Sequence, residues 1–300
     1  MNRFPAIVLF STLAYGQLGS APPVPAAPSG PVAPAPNLNN LENATKARAL
    51  LDQAIQALGG DAYLNAQNKG EEGRVYSLHH GESRSVGVQY RMFTRYPDQD
   101  RLELIGRGNV VVPLPLVGII VVSHEKKNKN DIVVVHNGGK GYEITYKGTA
   151  PEDPVELAAY LRRHQHSLHT VLQKWIHDPK VALFYDGTAI IDGKGTDQVT
   201  LVNGQNDSVT VNMDTYSHLP VKTSFTWRDP DDKQKNVEDE VYDNYKLVQG
   251  INTPHSITRN FNGEMTHQRF INTSQYNLPL SETLFDATVD YDPMKPMKKK

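Results

Sequence analysis

Apolar residues recur along this chain in two rhythms. In "LENATKARALLDQAIQALGG", residues 41–60, Ala47, Leu50, Leu51, Ala54, Ile55 and Leu58 fall at i, i+3, i+4 and i+7, one face of an α-helix, and Gly59-Gly60 supplies a left-handed stop. A second helix is predicted from Asp153, a capping residue, with Pro154 in the first helical position. Its stripe runs through Leu157, Leu161, Leu168, Leu172 and Trp175, and it ends near Ile176.

Almost everything else alternates with a period of two, which predicts antiparallel strands with one buried face. Val86, Val88, Tyr90 and Met92 share a side, as do Leu102 with Leu104, and Tyr142 with Ile144 and Tyr146. Later come Val209, Val211 and Met213, then Val221, Phe225 and Trp227, then Val241, Tyr245 and Leu247. Turns are predicted at "HNGGKG" (136–141), "VNGQND" (202–207) and "FNGE" (261–264). A two-residue turn at Asn262-Gly263 would pair Phe261 with Glu264, Ile257 with Gln268 and His255 with Phe270. The pattern gives about 11 strands, too many for a flat sheet. The expected fold is therefore α+β and mostly antiparallel β: a half-open, curled β-barrel with helices covering its mouth.

The ends read differently. Residues 1–20 carry Arg3, an apolar run from Phe4 to Leu13 and small residues at Ala14 and Gly16, the pattern of an export signal peptide. Residues 21–37 are a Pro/Ala-rich linker, too dense in proline for helix or ladder. A half-barrel domain is expected over 38–290, followed by a basic tail, 291–300. An exported chain of this kind is expected to be soluble after signal cleavage.

Composition narrows the chemistry. With 31 basic against 33 acidic residues there is no general pull toward nucleic acid. The absence of cysteine removes disulfides, thiolate metal sites and cysteine nucleophiles. Among 11 histidines the densest group is His164, His166 and His169, whose spacings of two, three and five do not place a metal-binding pair on one helix face. The fragments at His79–Glu82 and at His124 with Glu125 lack the second histidine of a metalloprotease motif. No G-x-S-x-G elbow is present, "GKGTDQ" (193–198) lacks the phosphate-loop spacing, and Asp229, Asp231 and Asp232 read as a polar hairpin tip. No metal, no cofactor and no catalytic residue is expected.

One stretch breaks the local rules. "NVVVPLPLVGIIVV", 109–122, is almost wholly apolar, yet Pro113, Pro115 and Gly118 interrupt helix and central strand alike, and it is too short to span a bilayer. It reads either as a core strand pair with a proline corner or as a greasy flap lining a cavity. Three lysines in "EKKNKN" (125–130) beside it fit transient membrane-surface contact through 109–130.

"ALGGDAYLNAQ", "YPDQDRLEL" (96–104), "NMDTYSHLPVK" (212–222) and "DNYKLVQGINTPHSITRNFNGEMTHQRFINTSQYNLPLSETLF" together resemble the LolA-like family of exported proteins, over residues 41–289. The resemblance implies a half-open barrel whose apolar interior holds acyl chains of a lipid or lipoprotein, with envelope proteins as donor and acceptor. Burial of an acyl chain stabilises such a complex by about 0.8 kcal/mol per methylene, so carriage needs no covalent step. The expected ligand wall comprises Tyr90, Met92, Leu102, Leu104, Leu116, Ile119, Tyr142, Ile144, Trp175, Val211, Met213, Phe225, Trp227 and Tyr245. Two other functions stay open: a hydrolase using His and Asp at the barrel mouth, and an envelope scaffold with a solid-packed barrel.

Overall fold

The computed structural model describes residues 41–79, 82–83, 87–105 and 131–295. The expected leader and linker, the 109–122 stretch with Leu116 and Ile119, and the last five residues of the basic tail lie outside the described residues.

Fourteen strands form the sheet: β1 (Asn68–His79), β2 (Glu82–Ser83), β3 (Val88–Arg95), β4 (Gln99–Ile105), β5 (Ile132–Asn137), β6 (Lys140–Thr145), β7 (Gly148–Pro151), β8 (Ala182–Ile191), β9 (Lys194–Val202), β10 (Ser208–Asp214), β11 (Pro220–Arg228), β12 (Lys235–Val248), β13 (Ile251–Phe261) and β14 (Glu264–Tyr276). The order is β7-β6-β5-β4-β3-β1-β14-β13-β12-β11-β10-β9-β8, with β2 paired only to β1. Two antiparallel meanders, β3–β7 and β8–β14, are thus joined where β1 pairs β14. The sheet is curled and unclosed, with β7 and β8 as its edges. More strands are present than expected because β1, with Glu71-Glu72 between Gly70 and Gly73, shows no apolar alternation. At the β1–β14 bulge only glycine fits position 73, since a Cβ there would lie 1.9 Å from the Phe270 carbonyl oxygen.

Because β7 and β8 are opposite edges, the connection between them crosses the sheet. It does so as α3 (Pro154–Gln165), α4 (Leu168–Gln173) and a 3-10 turn, Trp175–His177. Asp153 caps α3 as expected, accepting the Val155 amide at 2.8 Å, with Pro154 at the first position. The single helix expected as far as Ile176 is broken at His166-Ser167. There Ser167 Oγ accepts the Thr170 amide at 3.3 Å and starts a new helix, the local competition that serine offers a continuing helix. α3 buries no side chain fully and leaves Leu161 37% exposed, whereas α4 buries Val171 and Leu172.

Directly paired residues of an antiparallel ladder share a face, so the ladders divide the sheet into two sides. On the inner side α1 (Leu41–Leu58), α4 and the Trp175–His177 turn pack on β8–β11, enclosing Leu51, Ile55, Leu172, Val199, Leu201 and Val209. α1 ends at Gly59, whose φ of 131° and a would-be Cβ 2.4 Å from the Gly250 oxygen exclude any other residue. On the outer side, Phe93, Val133, Val135 and Ile144 are covered by the C-terminal segment through Leu278, Leu284 and Phe285. Asn68 ties that segment down, donating to the Leu278 carbonyl at 3.0 Å and accepting its amide at 2.8 Å. At the β8 edge, Asn43 of α1 donates to the Tyr185 carbonyl and accepts the Tyr185 amide, both at 2.8 Å, standing in for a neighbouring strand.

Two strand expectations are corrected. Phe261 does pair Glu264, but a bulge between Arg259 and Asn260 moves the ladder on by one residue, so Ile257 pairs Arg269 rather than Gln268, and Ser256 rather than His255 pairs Phe270. In β12, Tyr242 and Tyr245 both face inward, because Asn244 at φ 54° breaks the alternation expected from Val241 to Leu247, and Leu247, near the strand's end, is 71% exposed. Tyr146 falls in the turn after β6.

Candidate functional site

The inner face changes character across the sheet. Over β8–β11 it is filled: Trp175, Val211, Met213 and Phe225 are buried in one continuous core with α1 and α4. Trp227 and Tyr245 lie half-buried against that core. Over β1, β3, β4 and β5 no comparable core covers it among the described residues. There Val75 pairs Val88, Tyr90 pairs Leu104, Met92 pairs Leu102, Leu102 pairs Val134 and Leu104 pairs Ile132. All but Tyr90 are half-buried, so they form a continuous apolar strip that retains solvent exposure.

A charged band separates strip from core. Glu71 is buried and accepts from Lys69 Nζ at 2.6 Å, Arg269 Nη1 at 3.2 Å and the Tyr90 hydroxyl at 3.0 Å. Burial alone would raise its pKa, but the Arg269 and Lys69 charges and these hydrogen bonds hold it down at about 2. Burial and the Glu71 carboxylate push the Tyr90 phenol far up. Arg269 Nη1 also lies 3.2 Å from Met92 Sδ, so band and strip touch. Farther along, Arg259 Nη2 binds Glu240 at 3.1 Å, and the Tyr242 hydroxyl donates to Glu240 at 3.2 Å. Glu238 receives Trp227 Nε1 at 2.9 Å, Arg162 at 3.4 Å and Arg163 at 3.7 Å, with the Arg162 guanidinium 3.5 Å above the Trp227 ring.

Four histidines, His136, His164, His166 and His169, gather where α3 and α4 meet the sheet, and each of these is engaged. His136 donates to Glu152 at 2.9 Å and stacks 3.4 Å from the Tyr160 ring, whose hydroxyl donates to Asp100. His164 donates to the Pro97 carbonyl at 2.9 Å. His166 bridges the Arg162 carbonyl and Asp207 at 2.6 and 2.7 Å. His169 stacks on Tyr96 at 3.7 Å, and burial together with His164, Lys174 and Lys69 pushes it down to about 4. Among the described residues no hydroxyl hydrogen-bonds to a histidine ring, and no three His, Asp or Glu side chains are placed to hold a metal ion.

Of the expected wall, Tyr90, Met92, Leu102 and Leu104 come together on the strip. Tyr142 and Ile144 point to the outer face: Tyr142 pairs Val135, and Ile144 packs with the C-terminal segment. Trp175, Val211, Met213 and Phe225 belong to the filled core, at a distance from the strip set by the intervening strands β12–β14. The charged band went unread. Its signal was present, since Arg259 and Arg269 sit two residues from the inward Ile257 and Ile271. Two solvent-open hollows, of about 610 Å³ beside Gln53 and His218 and about 380 Å³ beside Lys174 and Asn203, are lined by residues outside the strip.

No family model matches the chain, and no curated protein does. Solved structures do. A DUF1329 family protein from Desulfovibrio piger superposes with a TM-score of 0.50 at 10% identity, covering 80% of this chain and 97% of that one. The two chains share a fold. A protein of the LolA superfamily from Nitrosomonas europaea matches with a TM-score of 0.46 at 10% identity, and a putative outer membrane lipoprotein-sorting protein domain from Vibrio parahaemolyticus with 0.47 at 12%, each over 80% of this chain and 97% of its own. At these identities the likeness concerns the fold. No helix among the described residues is long and apolar enough to cross a membrane.

Proposed function

We propose that this protein is a periplasmic, non-enzymatic carrier or binding protein for lipids or acylated lipoproteins. The observation that carries the reading is the half-exposed apolar strip of Val75, Val88, Met92, Leu102, Leu104, Ile132 and Val134 on the inner face of an open sheet. Aliphatic side chains left partly wet on a concave surface are stabilised by covering them with hydrocarbon, at about 25 cal/mol per Å² buried. The engagement of His136, His164 and His166 by carboxylates and carbonyls supports binding over hydrolysis, because none is left poised against a nucleophile. Envelope proteins would then be the donor and acceptor of the cargo, with residues 109–130 as the membrane-facing contact.

The reading is tested by native mass spectrometry of the full chain, with displacement of a fluorescent fatty-acyl probe. A co-purified lipid mass, and probe binding lost in Leu104→Asp, are expected. An apo mass together with no probe binding overturns the carrier reading in favour of a scaffold.

A further inference from the structure

The charged band holds more positive charge than its carboxylates answer. Among the described residues Lys69, Arg162, Arg163, Arg259 and Arg269 form ion pairs with Glu71, Glu238 and Glu240: Lys69 and Arg269 share the first, Arg162 and Arg163 the second, and Arg259 uses the third, while Asp100 adds one more distant negative charge to Arg269. The surplus is concentrated on one side. Arg163 reaches Glu238 only at 3.7 Å, and among the described residues the buried Nε of Arg259 has no acceptor although its Nη2 is bound. His267, the direct cross-strand partner of Arg259, is exposed to solvent on the same inner face. These groups feel one another: burial and Arg259 lower the pKa of Arg163, and partial desolvation with Arg259 and Arg163 lowers that of His267. A set of like charges with an unanswered guanidinium N–H is costly unless an anion completes it.

We propose that Arg163, Arg259 and His267 form a site for a phosphate-type oxyanion, the headgroup of an amphiphile whose acyl chains lie on the apolar strip. The assignment rests on the carrier reading. Guanidinium forks match the oxygens of a phosphate, and a doubly charged group both cancels the surplus and supplies the acceptor Arg259 Nε lacks. The distance is suitable: His267 is on β14 and pairs Ser77 of β1, two residues from Val75 at the start of the strip.

The test compares phosphatidic acid with diacylglycerol of identical short acyl chains, both as displacers of the acyl probe from the full chain. Phosphatidic acid is expected to bind about tenfold or more tightly, the effect of a few charge-assisted hydrogen bonds. Arg259→Gln and His267→Gln should each shrink that preference while leaving diacylglycerol affinity unchanged. His267 is on the surface, so its variant reads the site even if Arg259→Gln folds poorly. Equal binding of both lipids by the wild type overturns the headgroup site and leaves the carrier standing. Inorganic phosphate bound alone, followed by phosphorus NMR and lost in His267→Gln, with no lipid binding, keeps the anion site and removes the carrier. No binding by lipid or phosphate removes both.

Discussion

Arg269 on β14 places its Nη1 3.2 Å from the Glu71 carboxylate on β1, so the strand pair that joins the two meanders is pinned across its ladder by a largely buried ion pair. Replacing Arg269 with Met removes a partner while Glu71 stays 4% exposed. Lys69 remains and Arg269 is partly wet, so the expected loss is about 2–3 kcal/mol, below the full cost of breaking a buried pair. Urea unfolding of the single variants and the Glu71→Gln/Arg269→Met double variant checks this; a coupling energy near zero contradicts it.

The same carboxylate sets acid stability. Glu71 titrates at about 2 in the fold against an ordinary 4.5. A depressed carboxylate pKa contributes stability fully above the ordinary value and loses it as pH falls, so the contribution, about 3 kcal/mol, should vanish between pH 4.5 and 2. Glu71→Gln is expected to flatten that part of the stability profile.

His169 acts in a higher window. Its pKa falls from 6.5 to about 4 because it is buried against Tyr96 and Tyr63. The unfolded chain therefore binds the proton first, and stability drops as pH falls from 6.5 to 4, by about 3 kcal/mol for this residue. His169→Phe keeps a stacking ring and should lose less than the wild type over that interval. NMR titration should show the imidazole still neutral at pH 5.5.

Strip and core should respond oppositely to truncation. Leu201 is fully buried in the filled half, so Leu201→Ala is expected to cost about 2–5 kcal/mol and leave acyl-probe affinity unchanged. Leu104→Asn on the strip should weaken the probe about tenfold with a shift in melting temperature of only a few degrees. Probe binding indifferent to Leu104 places the ligand elsewhere.

Asn43 guards an edge. Asn43→Ala removes two hydrogen bonds to the Tyr185 backbone and should cost about 1–2 kcal/mol. It should also raise self-association through β8, read by analytical ultracentrifugation; a variant as stable and as monomeric as the wild type contradicts it.

Much of this architecture was legible in the chain. The first amphipathic stripe, Asp153 with Pro154, Gly59-Gly60 and the glycine turns are local signals, and each is found where expected, while the second stripe is split between α3 and α4. What alternation does not encode is which face is inner. Tyr142 and Ile144 alternate as cleanly as Met213 and Val211, yet both face the outer side, where a C-terminal segment over a hundred residues away buries Ile144. The bulge at Arg259/Asn260 and the φ of Asn244 each flip a face, and nothing apolar marks them. β1 carries no apolar signal because a central strand holding Glu71 is stabilised by Lys69 of β1 itself, Tyr90 of β3 and Arg269 of β14, partners that only the fold brings together.

The β1–β14 seam has a consequence in time. Lys69 meets Tyr276 across that ladder, so the earliest long strand waits for the last one to be made before the halves become continuous. A ribosome-bound chain halted before Glu264 would hold two separate meanders, each offering a bare edge, and should be protease-sensitive until the final hairpin is released.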